Sequence, residues 1–222
     1  VDLISEEEQW ERLKAWLRAN GPAVLVITAL LLLGWQGWKW WQSRADAQGE
    51  ADAAVYEKII GSFDANKQAE GLALIETLRR EHPESPYVSG ADLVAARVFV
   101  DSNQLDKAVE RLKRVAETAA DEKLRPIARL RLARVQSSQG QYDAALATLG
   151  TANLGVHEAA RLEARGDVLL AKGDSAAALA EYTAARKLLP AQDAGGVAEL
   201  LDLKIADLGG SPAAATAGVP AP

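Results

Sequence analysis

The chain has 222 residues, with 25 Lys and Arg against 31 Asp and Glu, a formal net charge of −6 and a pI near 5.1. It contains no cysteine, which excludes disulfide scaffolds, thiolate zinc sites, iron–sulfur clusters and cysteine nucleophiles and leaves the redox compartment open. An acidic chain without a basic block argues against nucleic acid, whose affinity comes mainly from neutralising phosphates with Lys and Arg.

All six tryptophans fall in the first 41 residues, so the head of the chain differs chemically from the body. With Val1 rather than methionine at position 1, a start processed or truncated by at least one residue is expected. Residues 1–20 form a short acidic, amphipathic segment. Ser5 to Glu8 has the form of a capping box, and Trp10, Leu13, Trp16 and Leu17 recur at helical spacing on one stripe. A helix lying on a membrane surface fits this stripe, and protein partners use the same pattern. Asn20-Gly21-Pro22 is expected to stop that helix.

Residues 21–41 are predicted to be a transmembrane helix. From Ala19 to Trp38 there is no charge, and Arg18 and Lys39 bracket the run. Twenty residues at helical rise cover roughly 30 Å, the thickness of a bilayer hydrocarbon core. Trp35, Trp38, Lys39, Trp40 and Trp41 mark its end, with indoles suited to the headgroup level and a lysine able to snorkel. A cleaved signal peptide wants a basic start, a shorter apolar run and small residues before the cut. This head is acidic, longer and bulky there, so it reads as an uncleaved anchor. Arg12, Lys14 and Arg18 before the span balance Lys39, Arg44 and Lys58 after it, so charge leaves orientation undecided.

Residues 42–208 are predicted to be an all-α repeat domain. Asn66, Asn103, Gly140 and Gly173, residues that tolerate left-handed backbone, are spaced by 37, 37 and 33 positions. After each turn a similar order of small and large residues returns. The last unit gives Gly166, Gly173, Ala178, Tyr182, Ala185 and Pro190. The one before gives Ala133, Gly140, Ala145, Leu149 and Ala152, and an earlier one Ala96, Asn103, Ala108, Leu112 and Val115. The first, with Gly71, Ile75, Leu78 and Pro83, is degenerate. This resembles the tetratricopeptide repeat, in which small residues let two helices approach and large ones fill the space between hairpins. Such units must stack, and residues 197–208 supply a capping helix. Residues 209–222, rich in Pro, Ala and Gly, are expected to be a disordered tail.

No catalytic constellation emerges. His82 and His157 lack the spaced partners a metal needs, no Gly-x-Ser-x-Gly elbow occurs, and Lys172-Gly173-Asp174 falls where the repeat needs its turn. No cofactor is implied. What remains is a surface: the first helix of each hairpin would line a concave groove with Leu93, Leu130 and Glu163 at one register and Arg97, Arg134 and Asp167 at another. Val100 and Ile127 lie nearby. Leucines mixed with arginines suit extended apolar segments with some acidic character, although Leu93 and Leu130 fit an inter-helix core equally well.

Phe99-Val-Asp-Ser-Asn-Gln-Leu-Asp-Lys107, Leu130-Arg-Leu-Ala-Arg-Val-Gln136, Tyr142-Asp-Ala-Ala-Leu146, Gly166-Asp-Val-Leu-Leu-Ala-Lys-Gly-Asp174 and Leu203-Lys-Ile205, set behind a tryptophan-edged anchor, carry a family resemblance. The chain resembles the YfgM-like ancillary subunits of the SecYEG translocon. The resemblance implies a bacterial inner-membrane protein with a cytoplasmic N-terminus and periplasmic repeats, and so resolves the orientation. It also implies association with the translocon, with a membrane-anchored peptidyl-prolyl isomerase (PpiD-like) and with unfolded exported polypeptides, and no enzymatic activity. A structural adaptor for one envelope partner, or a regulator of an envelope stress response, is the alternative.

Overall fold

The computed structural model describes residues 6–190 and 196–211; the capping box at Ser5 and the tail beyond Ser211 lie outside them. Among the described residues the regular elements are helical, and the chain forms two compact units, Val1–Ala51 and Asp52–Pro222.

The first unit is built from α1 (Glu6–Asp64), whose last turns belong to the second unit. The stop expected at Asn20-Gly21-Pro22 is not there: α1 runs through Pro22 and is bent by 57° between Trp10–Ala23 and Leu25–Asp64. Proline has no N–H to give the carbonyl four residues back and crowds it, which kinks a helix. Nothing between Trp41 and Ala65 breaks the helix either. Its apolar stretch is exposed: Leu25, Leu33 and Trp35 are each about 70% exposed. Among the described residues no single unbent helix is long and apolar enough to cross a membrane, while the bent pair qualifies by length and composition.

Among the described residues the second unit holds four helical hairpins and a cap. The end of α1 pairs with α2 (Gln68–Glu81), α3 (Pro86–Asp101) with α4 (Leu105–Thr118), α5 (Leu124–Ser138) with α6 (Tyr142–Leu149), and α7 (Glu158–Lys172) with α8 (Ser175–Lys187); α9 (Val197–Asp207) follows. The four turns repeat one geometry. Asn66, Asn103, Gly140 and Gly173 have φ of 60, 56, 75 and 94°. After each, the next amide donates to the carbonyl five residues back, Lys67 to Ser62, Gln104 to Phe99, Gln141 to Gln136 and Asp174 to Leu169. That 6→1 bond satisfies helix-end carbonyls and needs a residue at ease in the left-handed region.

The small and large positions do what close packing requires. Ala108, Ala145 and Ala178 are fully buried, as are Leu112, Leu149 and Tyr182 within a few per cent. Gly166 lets Tyr182 lie directly on α7, and Gly71 does the same for Phe63. Ile75, Leu78, Ala91, Ala95 and Phe99 join the first two hairpins in one core, and α9 closes the other end with Leu201 and Ile205 on Tyr182 and Ala185. One repeat position differs from expectation. Ala152, read as closing the third unit, is exposed, because α6 ends at Leu149 and Gly150 turns the chain away at φ 58°.

Candidate functional site

The repeats place α3 and α5 side by side, and between them lies a cleft of about 270 Å³. Its floor is apolar: Leu93, Ala96 and Val100 from α3, Leu112 from α4 and Val135 from α5. Three guanidiniums edge it, from Arg97, Arg131 and Arg134. Arg97 is 82% exposed and only loosely tied to Asp101 at 3.7 Å. Arg131 and Arg134 are exposed and have no acidic partner among the described residues. Their spacing explains the arrangement: residues 93, 97 and 100 lie four and three apart on one face of α3, and on α5 residues 134 and 135 lie three and four beyond 131.

Four of the residues singled out from sequence thus meet in one cleft, Leu93, Arg97, Val100 and Arg134. The others go elsewhere. Ile127 is half-buried on α5 and does not line the cleft. Leu130 is 7% exposed in a core with Ala133, Leu149, Ala164 and Val168. Arg131 was missed, although it sits three residues before Arg134 and so shares its face.

A tetratricopeptide repeat-like domain model matches residues 14–210. The chain is 31% identical over 206 residues to the ancillary SecYEG translocon subunit of Escherichia coli K12, spanning 92% of this chain and 97% of that one. It is equally similar to the protein of that name from Neisseria gonorrhoeae, over 92% and 98%, and to the one from Haemophilus influenzae, over 83% and 90%. The chain belongs to the ancillary SecYEG translocon subunit family. This is a family of protein-interaction repeats rather than of enzymes.

In this ancillary-subunit chain the groove does not continue onto the fourth hairpin. Glu163 and Asp167, the α7 residues at the two groove registers, are taken by Lys204 of α9 at 2.8 and 2.7 Å. Tyr182 also donates its hydroxyl to Asp167 at 2.8 Å. Burial alone would lower the Lys204 ammonium, but its bonds to Asp167 and Glu163 outweigh that and raise it. Burial, then the Asp167 carboxylate, pushes the Tyr182 phenol well up. The cap therefore closes that end with paired charges, and the accessible groove is the α3–α5 cleft.

Neither histidine builds a metal site. His82 Nδ1 meets Asp52, tying the end of α2 to α1 ahead of its last turns, and His157 ends the short 3₁₀ turn Gly155–His157. Among the described residues no group of three or more His, Asp or Glu could hold a metal ion.

The start of α7 carries a second charge-locked junction. Glu158 accepts from Arg161 at 2.6 and 2.9 Å and from the Leu154 amide at 2.9 Å. The Arg161 bonds come first; burial opposes them, the amide adds to them, and the carboxyl falls from 4.5 to about 2. A depressed folded-state value means that its stabilisation is complete above pH 4.5 and is lost as pH falls toward 2. The Leu154 amide resonance is expected to move across that window in an NMR titration, together with opening of the 150–157 loop. An amide that stays fixed down to pH 2 would remove this lock from the account.

Proposed function

We propose that the chain is a single-pass inner-membrane subunit at the SecYEG translocon, whose repeat domain faces the periplasm and receives extended segments of exported polypeptides. The observation that carries the reading is the α3–α5 cleft, an apolar floor under three guanidiniums of which two have no acidic partner among the described residues. Such a site accepts apolar side chains flanked by carboxylates. Its capture of an unfolded chain is weak and broad, because ordering the client opposes binding. A membrane-anchored chaperone or isomerase is the natural fixed neighbour, handing clients to or from the groove.

The anchor, residues 21–41, supports the placement. Trp35, Trp38, Trp40 and Trp41 are 62–69% exposed and point to different sides of α1. A protein groove covers one face of a helix, whereas a lipid headgroup layer surrounds it. Arg44 lies 5.3 Å from the Trp40 ring and adds a cation to the belt.

Reversing the groove charge tests the reading. With full-length protein in lipid nanodiscs, Arg131→Glu/Arg134→Glu is expected to weaken a fluorescent peptide of alternating Leu and Asp by at least about tenfold. Each exposed pair contributes up to about 1 kcal/mol, and reversal turns two attractions into repulsions. Unchanged affinity would remove the groove assignment. For orientation, protease added to spheroplasts should degrade the region after Trp41, and full protection there would overturn the periplasmic placement.

A further inference from the structure

Two features of the repeat unit are left over by this reading, and they complement each other. The first is the shortness of α6, which has 8 residues where α4 has 14 and α8 has 13. Six missing residues amount to roughly 9 Å of helix. Beside the shortened helix is a cleft of about 940 Å³ bounded by α4 from Val109 to Glu117, α5 from Arg125 to Gln136, α6 itself and the loop after it. This gap is not a frayed helix end. Gly150 stops α6 at φ 58°, and its carbonyl accepts from Arg161 at 2.8 Å and Arg165 at 2.9 Å. Those arginines are themselves held by Glu158 and Glu181. The slot is therefore fixed by four side chains from the following hairpin.

Its lining joins exposed Ala144 and Ala147, with buried Leu132 behind them, and two exposed cations, Lys113 and Arg129. Neither cation has an acidic partner among the described residues, and Arg125 beside them is spent on the Ala119 carbonyl and Glu122. Glu117 is the one acidic residue in the lining.

The second feature is the outer face of α9. A helix that caps a repeat stack should be polar outside. Here Leu200 and Leu203 are 47% and 61% exposed, while Leu201 and Ile205 face the core. Exposed Glu199 and Asp207 accompany that leucine pair, and neither has a basic partner among the described residues.

We propose that α9 of a second copy of this chain seats its Leu200–Leu203 face in the slot beside the shortened α6, with Glu199 and Asp207 against Lys113 and Arg129. The slot lacks one stretch of helix, and α9 offers one whose exposed leucines and carboxylates complement the slot's alanines and cations. The contact uses different surfaces on the two copies, so it is heterologous and can propagate from copy to copy. It leaves the α3–α5 cleft open and does not depend on what that cleft binds.

Sedimentation of the full-length protein in nanodiscs or mild detergent, across a concentration series, tests this. The wild type is expected to self-associate. Lys113→Glu/Arg129→Glu and Glu199→Lys/Asp207→Lys should each weaken association by at least about tenfold, and Ala147→Trp should do so by filling the slot. Mixing the two charge-reversed proteins should restore pairing, because the native α9 of the first meets the native slot of the second. Unchanged circular dichroism melts establish that the variants are folded, and Arg131→Glu/Arg134→Glu should associate as the wild type does. A protein monomeric at every concentration would overturn the proposal. So would association that survives the reversals, or a mixture that stays monomeric, since either assigns the slot and α9 to other partners.

Discussion

Gly166→Val is expected to destabilise the fourth hairpin by about 3 kcal/mol, a cost of forcing extra volume into a filled core. A Cβ at Gly166 would lie 2.4 Å from Cε1 and 2.6 Å from Cδ1 of Tyr182. Tyr182 is 1% exposed, and its hydroxyl is held by Asp167, so the ring has nowhere to move. Displacing it also disturbs Lys204, which joins Asp167 to α9. Gly61 provides the opposite case within the same fold. It is inside α1 with no heavy atom within 4 Å of an added Cβ, so Gly61→Ala should stabilise by about 0.5–1 kcal/mol through helix propensity alone. Urea midpoints by circular dichroism measure both, and hydrogen exchange at α7 and α8 localises the first. Two glycine variants that shift stability in the same direction would contradict the packing argument. Tryptophan fluorescence would be a poor probe, because every indole lies outside the repeats.

Asp92→Ala is expected to cost about 3–5 kcal/mol, the range for removing one partner of a buried charge cluster. Asp92 sits at the junction of the first two hairpins with its side chain 2% exposed. It accepts from Arg79 at 2.7 and 2.8 Å and from Arg111 at 2.9 Å, with Arg114 at 3.7 Å. Glu76 bridges the same two arginines from the outside. Burial works against the Arg79 charge, and Glu76 and Asp92 outweigh it, so its pKa is raised. Burial likewise opposes ionisation of Glu76, and Arg79 and Arg111 hold its carboxyl below the usual range. Without Asp92, two largely buried guanidiniums share one half-exposed carboxylate. Pairing Asp92→Ala with Arg79→Met should recover part of the loss, because it removes the stranded charge. A double variant no more stable than Asp92→Ala would mean that the single loss reflects cavity rather than charge.

The repeat was legible because its rules are local. A left-handed residue every 33–37 positions, followed by a buried alanine and then a large side chain, follows from how two helices approach. Both the turns and the core alanines lie where that pattern puts them. The departures come from partners distant in the chain. Ala152 could not be recognised as exposed, because what ends α6 is a pair of arginines eleven and fifteen residues beyond Gly150. Leu93 and Leu130 occupy one register, yet Ala164 and Val168 of the next hairpin help cover Leu130, while Leu93 keeps a face on the cleft. Glu163 and Asp167 looked like groove residues until Lys204, 41 and 37 residues later, met them. At Pro22 the proline bends α1 and does not end it, an outcome that its local sequence leaves open.

The α3–α5 cleft is the centre of this account, and a photo-crosslinker placed at Val100 or Arg134 in intact membranes tests it most directly. Val100 is 40% exposed, Arg134 is exposed too, and both line the cleft, so a probe there reports its contents without disturbing the core. Adducts with many different exported polypeptides are expected at these positions. They should disappear in Arg131→Glu and be absent from a probe at Lys187 on the far end of α8. A single defined adduct, or equal labelling at all three positions, would contradict this reading of the cleft.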